Sequence, residues 1–247
     1  RLFSTLINGR DTLVQFSRPI SLQELVTEDL GAARSLRKIS RILRMHFGRV
    51  RGAVIGPDMS HRRMLIDQLV RTPSVREAIV EKSRREKISL EKATRQAHQF
   101  AWEIAADYTY SFIRLASMAI GWFTRKIFSG VRMLNFDRVK QQALDHEIIY
   151  VPCHRSHLDY MLLSYLLYTN GHVPPHIAAG VNLNLPLIGR FLRGGGAFYL
   201  RRSFKAQKLY AAVFNEYVSA ILAQGVSIEY FVEGTRSRTG RLLPPKA

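Results

Sequence analysis

The chain has 247 residues, which is enough for one large domain or two small ones with a buried core. Its composition, 47% hydrophobic and 23% charged, excludes a chain that is disordered throughout. The 37 basic and 19 acidic side chains give a formal net charge of +18, which predicts an anionic partner: nucleic acid, an anionic membrane surface or a phosphorylated substrate.

The basic charge is concentrated towards the N-terminus. Residues 34–95 hold 17 basic and six acidic side chains, whereas residues 131–247 hold 14 and seven. Residues 35–51 predict a basic amphipathic helix, because apolar side chains recur there at helical spacing: Leu36, Ile39, Ile42, Leu43, Phe47 and Val50. Such a helix either lies on an anionic bilayer or packs in a bundle with its basic face solvated, and the pattern allows both.

The rest of the first half is also predicted to be helical. A capping box at Ser21–Glu24 opens one helix, and Thr72 followed by Pro73 opens another that runs to about Lys87. A third, long helical segment is predicted from Ser89 to about Phe128. No segment has the roughly 20 uninterrupted apolar residues of a transmembrane helix. Because the chain begins at Arg1 without Met, we expect it to be part of a longer protein.

From about residue 131 the pattern changes to strands alternating with helices, which predicts an α/β domain over residues 131–247, after a helical region over residues 1–130. Strands are predicted at 147–152, 176–180, 197–200 and 226–232, and helices at 158–168, 186–192 and 205–224. Ligand sites of such domains gather at the carboxyl ends of the strands.

A polar cluster follows the first predicted strand. His154 and Asp159 are five residues apart across a strand–helix turn, so a carboxylate could orient the imidazole and leave its other nitrogen as a general base. His157 is the rival for that role, and a purely structural role for the cluster stays open. A metal site is disfavoured because it would need a further, distant ligand. Cys153 is the one cysteine, which excludes an intrachain disulfide and disfavours a thiol nucleophile.

Arginines follow the third and fourth predicted strands. Arginine forks match phosphate oxygens, and the glycines at 194–196, 234 and 240 allow a close backbone approach. A phosphate-binding floor beside the base is therefore predicted, although each arginine could instead be solvated or paired with Glu229 or Glu233. The arginines are Arg201, Arg202, Arg236, Arg238 and Arg241.

Three blocks in order make the chain resemble the glycerolipid acyltransferase family. They are the His-x4-Asp of His154 and Asp159, Gly-Ala-Phe-Tyr-Leu-Arg-Arg at 196–202, and Phe-Val-Glu-Gly-Thr-Arg-Ser at 231–237. The likeness is dense over residues 147–245 and weaker over residues 1–130, which resemble the helical N-terminal region of large bacterial members. It implies an α/β fold with a mixed sheet flanked by helices. The family's fourth block is absent from this sequence.

The resemblance implies transfer of an acyl group from acyl-CoA or acyl-carrier protein to the sn-1 hydroxyl of glycerol 3-phosphate, giving lysophosphatidate. His154 would be the general base, oriented by Asp159, with no metal, cofactor or covalent acyl-enzyme. Glycerol 3-phosphate would be held by Arg202, Glu233, Gly234, Arg236 and Ser237, with Arg201 as a helper.

The resemblance also implies a peripheral enzyme on the cytoplasmic face of the bacterial inner membrane, which favours an interfacial helix at residues 35–51. Two alternatives remain. A related acyltransferase could use dihydroxyacetone phosphate or lysophosphatidate as acceptor. A nucleic-acid-binding protein would explain the charge, but the basic segment 34–51 has little aromatic interleaving and no known docking motif.

Overall fold

The computed structural model describes residues 62–143, 146–203 and 207–245, together with Ile39, Leu43 and Phe47, which have helical backbone. The chain divides into two compact units, residues 1–51 and residues 52–247. Apart from those three positions, the predicted helix at 35–51 lies outside the described residues, as does the capping box at Ser21–Glu24.

Three helices begin the described part of the second unit: α1 (Arg62–Arg71), α2 (Pro73–Glu86) and α3 (Leu90–Ile104). Pro73 opens α2 at a position where the missing N–H is not needed, and Lys87 ends the helix in a left-handed conformation with φ 51°. The Ser89 side chain caps α3 by accepting a hydrogen bond from the Lys92 amide at 3.2 Å. The predicted helix from Thr72 to about Lys87 is confirmed.

The prediction of one helical segment from Ser89 to Phe128 is wrong, because α3 ends at Ile104 and a separate α4 spans Tyr110–Ile127. Arg193 holds the break by donating to the backbone carbonyls of Ala105 and Glu103. The amides of Asp107 and Thr109 donate in turn to the carbonyls of Arg193 and Gly194, both at 3.2 Å. These tertiary hydrogen bonds replace the intrahelical ones, so no glycine or proline is needed to end the helix.

The remaining elements form a four-stranded sheet with helices on both faces. Its strands lie in the order β1-β4-β2-β3 and all pair in parallel. The elements in chain order are α5 (Phe136–Gln142), β1 (Ile149–Tyr150), α6 (Asp159–Thr169), β2 (His176–Gly180), α7 (Ile188–Gly194), β3 (Ala197–Leu200), α8 (Lys208–Ala223) and β4 (Ile228–Glu229).

The α/β prediction is confirmed, but the described strands form a parallel sheet, where the prediction was a mixed one. Each of the three connections between successive strands contains a helix, and such a crossover returns the chain in the same direction. The predicted strands at 176–180 and 197–200 are confirmed to the residue. The strands predicted at 147–152 and 226–232 are only two residues long, at 149–150 and 228–229.

The two faces of the sheet carry different packing. On one face Phe198 and Ile228 join a large apolar core with α1, α2, α3 and α8. There the buried Tyr217 of α8 also accepts a hydrogen bond from the Ala106 amide at 3.1 Å. On the other face Tyr199 packs in a smaller cluster with Ala179. The helices before residue 105 thus share a core with the sheet, while the boundary predicted near residue 130 stays a prediction.

Within the described residues, no helix combines the length and the apolar character needed to cross a membrane. Helix α4, with 18 residues the longest described, includes Arg114, Arg125 and Lys126.

Candidate active site

The loops after β1 and β4 lie side by side because these two parallel strands are neighbours in the sheet. The Ser237 amide donates a hydrogen bond to the His154 carbonyl at 2.8 Å. The His154 imidazole lies against the ring of Phe231, with their centroids 4.1 Å apart. The structure therefore brings the polar cluster after β1, which contains His154, next to the arginine-containing segment after β4, at the carboxyl edge of the sheet.

His154 and Asp159 form the predicted pair, with His154 Nδ1 3.3 Å from Asp159 Oδ2. The same carboxylate oxygen accepts hydrogen bonds from the amides of Arg155 and Ser156, each at 2.7 Å. Asp159 is also the first residue of α6, where a negative charge is stabilised by the helix dipole. The carboxylate is thus fixed by backbone, and an imidazole that donates to it through Nδ1–H keeps the Nε2 lone pair as a base.

The geometry favours His154 over His157, the alternative base. His157 is exposed, and its ring centroid lies 6.2 Å from that of His154 and 6.5 Å from that of Tyr160. Among the residues that the structure describes, His157 has no carboxylate partner. Among the described residues, no group of three or more His, Cys, Asp or Glu side chains could hold a metal ion. Cys153 is exposed.

Glu233 joins the two loops through its carboxylate, and its predicted role in holding glycerol 3-phosphate stays a prediction. It is only 1% exposed. Its Oε1 accepts a hydrogen bond from the His154 amide at 3.0 Å, and its Oε2 accepts one from the Leu243 amide at 3.1 Å. Both carboxylate oxygens therefore accept hydrogen bonds from backbone donors, and the side chain fixes the position of His154.

Gly234 and Ser237 shape the loop beside His154. Gly234 has φ 62°, in the left-handed region that favours glycine, and its amide donates to the Phe231 carbonyl at 2.9 Å. Ser237 is buried, and its hydroxyl has no hydrogen-bond partner within the described residues. The predicted role of Ser237 in binding glycerol 3-phosphate stays a prediction.

Arg201 and Arg202 are neighbours in sequence but have different surroundings. Arg201 donates from Nε and Nη2 to the two carboxylate oxygens of Glu103, both at 2.7 Å, and from Nη1 to Gln207 at 2.8 Å. Its guanidinium also lies over the rings of Phe100 and Tyr210. These contacts tie the end of β3 to α3 and leave Arg201 few donors for a ligand.

Arg202 and Arg236 are exposed, and no hydrogen bond or ion pair engages either side chain within the described part of the chain. Arg202 lies in the loop after β3 and Arg236 in the loop after β4; two inter-strand steps separate these strands, so they are about 10 Å apart. Within the described residues, no hydrogen bond or ion pair joins the segment 196–202 to the segment 151–160 or to the segment 231–241. Arg238 and Arg241 are also exposed.

Sequence reasoning missed two residues that shape the site. Phe231 stacks on His154, and its place at the end of a predicted strand gave no signal of that contact. Glu103 pairs with Arg201 from 98 residues away, beyond the reach of any local pattern.

Comparison with known proteins shows which families and which relatives the chain resembles. Residues 130–247 match a family described as Acyltransferase, and residues 1–56 match the Glycerol-3-phosphate acyltransferase PlsB N-terminal domain. Over 246 residues the chain is 58% identical to the glycerol-3-phosphate acyltransferase of Ectopseudomonas mendocina, 55% identical to that of Pseudomonas fluorescens and 56% identical to that of Xanthomonas axonopodis. These matches cover 100% of the chain and 28% to 30% of each relative, so the chain spans less than a third of their length.

The different surroundings of the two neighbouring arginines predict different effects on stability. Arg201→Lys removes the bidentate contact with Glu103, so we expect it to lower the free energy of unfolding by about 2 kcal/mol. The matched variant Arg202→Lys changes an exposed side chain and should have an effect of about 0.5 kcal/mol or less. Urea unfolding of both variants provides the measurement. Equal destabilisation by the two substitutions would contradict this assignment.

Proposed function

Because the chain belongs to the acyltransferase family, we propose that it carries the catalytic part of a glycerol-3-phosphate acyltransferase, the activity for which its 53% to 58% identical relatives are named. The product would be lysophosphatidate, made by acylation of the sn-1 hydroxyl of glycerol 3-phosphate. The observation that carries the proposal is the 3.3 Å contact between His154 Nδ1 and Asp159 at the carboxyl edge of a parallel sheet.

The chemistry of the step follows from this pair. Asp159 holds Nδ1–H of His154, so Nε2 is available to take the proton from the acceptor hydroxyl. As this proton leaves, the hydroxyl oxygen attacks the thioester carbonyl of acyl-CoA or acyl-carrier protein. The carbon–sulfur bond breaks, the thiolate leaves, and the imidazolium returns the proton to the sulfur. The Asp159 carboxylate stabilises the imidazolium while it exists, and the acyl group never bonds to the protein.

The phosphate of the acceptor would lie on exposed guanidinium groups near the base. Arg202 and Arg236 support this role because no ion pair within the described residues competes for them. Glu233 and Ser237 would act mainly by holding the His154 loop through backbone hydrogen bonds. Arg201, with its guanidinium on Glu103, would orient the end of β3 so that Arg202 turns outward.

The direct test of the function is loss of acyl transfer in a base variant of the full-length protein. We expect His154→Ala to lower turnover with glycerol 3-phosphate by about 10² to 10⁴-fold, because the general base is lost. The matched control His157→Ala should leave turnover within about threefold of the original, because that side chain lacks the carboxylate contact. Labelled acyl-CoA and separated lipid products provide the measurement.

The same assay tests the acceptor. Glycerol 3-phosphate should be acylated in preference to dihydroxyacetone phosphate and lysophosphatidate. Faster acylation of either of those would replace the proposal with that of a related acyltransferase. Near-normal turnover by His154→Ala would refute the assignment of the base.

We also propose that helix α4 docks on an anionic phospholipid surface. Its buried residues, such as Ile113 and Gly121, face the protein, and a β-carbon added at Gly121 would lie 3.0 Å from Tyr165. The opposite face exposes Leu115, Met118 and Trp122, each more than 60% exposed, beside cationic side chains at the end of the helix. Apolar side chains beside cations suit an anionic membrane interface.

Two further observations support a membrane partner. In the first unit, Leu43 and Phe47 lie on the apolar stripe of the predicted helix and are 40% and 67% exposed. The lipid product of the proposed reaction also belongs in a bilayer. The cytoplasmic face of the bacterial inner membrane is the proposed location, since acyl-CoA and glycerol 3-phosphate would reach the enzyme from the cytoplasm.

Removal of the apolar contact on α4 should weaken vesicle binding. We expect the double variant Leu115→Glu, Met118→Glu to bind phosphatidylglycerol-rich vesicles at least about tenfold more weakly, because two apolar side chains no longer insert. Met64→Glu, which changes an exposed methionine of α1, is the matched control and should bind normally. Co-sedimentation measures both. Unchanged vesicle binding by the α4 variant, or tight salt-sensitive nucleic-acid binding without vesicle binding, would contradict the proposal.

A further inference from the structure

Glu229 is a buried acid that the proposed reaction does not use. It ends β4 in the interior of the sheet, paired in register with Tyr150 of β1 and Ile177 of β2. The residue is 0% exposed, and neither carboxyl oxygen has a hydrogen-bond partner within the described residues. A charged carboxylate in such a place would be strongly destabilising, so the uncharged acid is the favoured form.

Among the described residues, the titratable group that acts on Glu229 is Asp159. Burial and then the Asp159 carboxylate raise the pKa of Glu229 to about 8. Tyr150 and Tyr160 lie close enough to sense its charge: burial first, and then Glu229, raises the pKa of Tyr150 to about 12. Burial, then Asp159 and then Glu229 raise the pKa of Tyr160. Among the described groups that shift the pKa of Glu229 there is no cation.

Other charged or titratable groups near the sheet are directed elsewhere. His176, the neighbour of Ile177 on β2, alternates to the opposite face of the sheet, where its ring lies beside that of Tyr108. Arg193 of α7 lies over the Tyr199 ring and donates to the carbonyls of Ala105 and Glu103. Glu229 is therefore a buried acid without a hydrogen-bond partner among the described residues, close enough to Asp159 for that carboxylate to raise its pKa.

We propose that the buried Glu229 is a positioning residue that must stay uncharged for the His154–Asp159 pair to keep its geometry. This role rests on the proposed function, because it concerns the same base. An ionised Glu229 would add a second negative charge near Asp159, and because Glu229 is fully buried the repulsion would be only weakly screened. The repulsion would be relieved by water entry under α6 or by release of Asp159 from the amides of Arg155 and Ser156, and either change loosens His154.

The charge state can be read directly from infrared spectra of the full-length protein. The carbonyl stretch of a protonated carboxylic acid should be present at about pH 6, fade as pH rises through about 8, and be lost in Glu229→Gln. Glu147→Gln, the same substitution at an exposed glutamate just before β1, should retain the band. A Glu229→Leu variant serves as a second uncharged variant if the glutamine variant folds poorly. Absence of any band specific to Glu229 would overturn the proposal.

The catalytic consequence appears in the pH dependence of kcat. In the original protein, kcat should fall about tenfold between about pH 7 and about pH 9, as the neutral fraction of Glu229 falls. In Glu229→Gln or Glu229→Leu this alkaline fall should shrink to about twofold or less, whereas Glu147→Gln should keep it. An equal alkaline fall in the Glu229 variants would overturn the positioning role.

These outcomes are distinct from failure of the proposed function. If the original protein transferred no acyl group at any pH, the proposed function and the catalytic role of Glu229 would both be overturned. The infrared band would still decide separately whether Glu229 is the buried neutral acid that the structure indicates.

Discussion

The two hydrogen bonds accepted by the buried Glu233 are the constraint on which the site depends. One comes from the His154 amide and the other from the Leu243 amide, so a single carboxylate joins the loop after β1 to the loop after β4. The parallel pairing of these strands brings the loops within reach, and the Ser237 amide adds a third tie at the His154 carbonyl. These hydrogen bonds fix the backbone of His154, and Asp159 in addition fixes the orientation of its imidazole ring.

The net charge does not reveal the role of individual side chains, because charged residues that are close in sequence differ in burial and in the contacts they make. Arg201 is held by Glu103 and two aromatic rings, whereas Arg202 is exposed. Glu233 is buried and accepts two backbone hydrogen bonds, whereas the equally buried Glu229 accepts none within the described residues. The net charge of +18 predicts an anionic partner. The packing around each basic side chain decides whether its cationic group is exposed to contact that partner.

Local patterns predicted the parts of this structure that depend on local interactions. The strand at His176–Gly180, the helix opened by Pro73 and the approach of His154 to Asp159 follow from spacing within a few residues. The break between α3 and α4 could not be predicted, because Arg193 holds it from 88 residues away. The last predicted strand is shorter than expected because Gly234 turns the chain and Phe231 packs on His154.

We propose that the loops after β1, β3 and β4 form one site for a phosphorylated acceptor, with His154 as its base. The most direct measurement is an experimental structure of the full-length protein with glycerol 3-phosphate bound. We expect the sn-1 hydroxyl to lie about 3 Å from His154 Nε2 and the phosphate to contact Arg202 and Arg236. A phosphate bound away from both arginines, or a hydroxyl out of reach of His154, would contradict it.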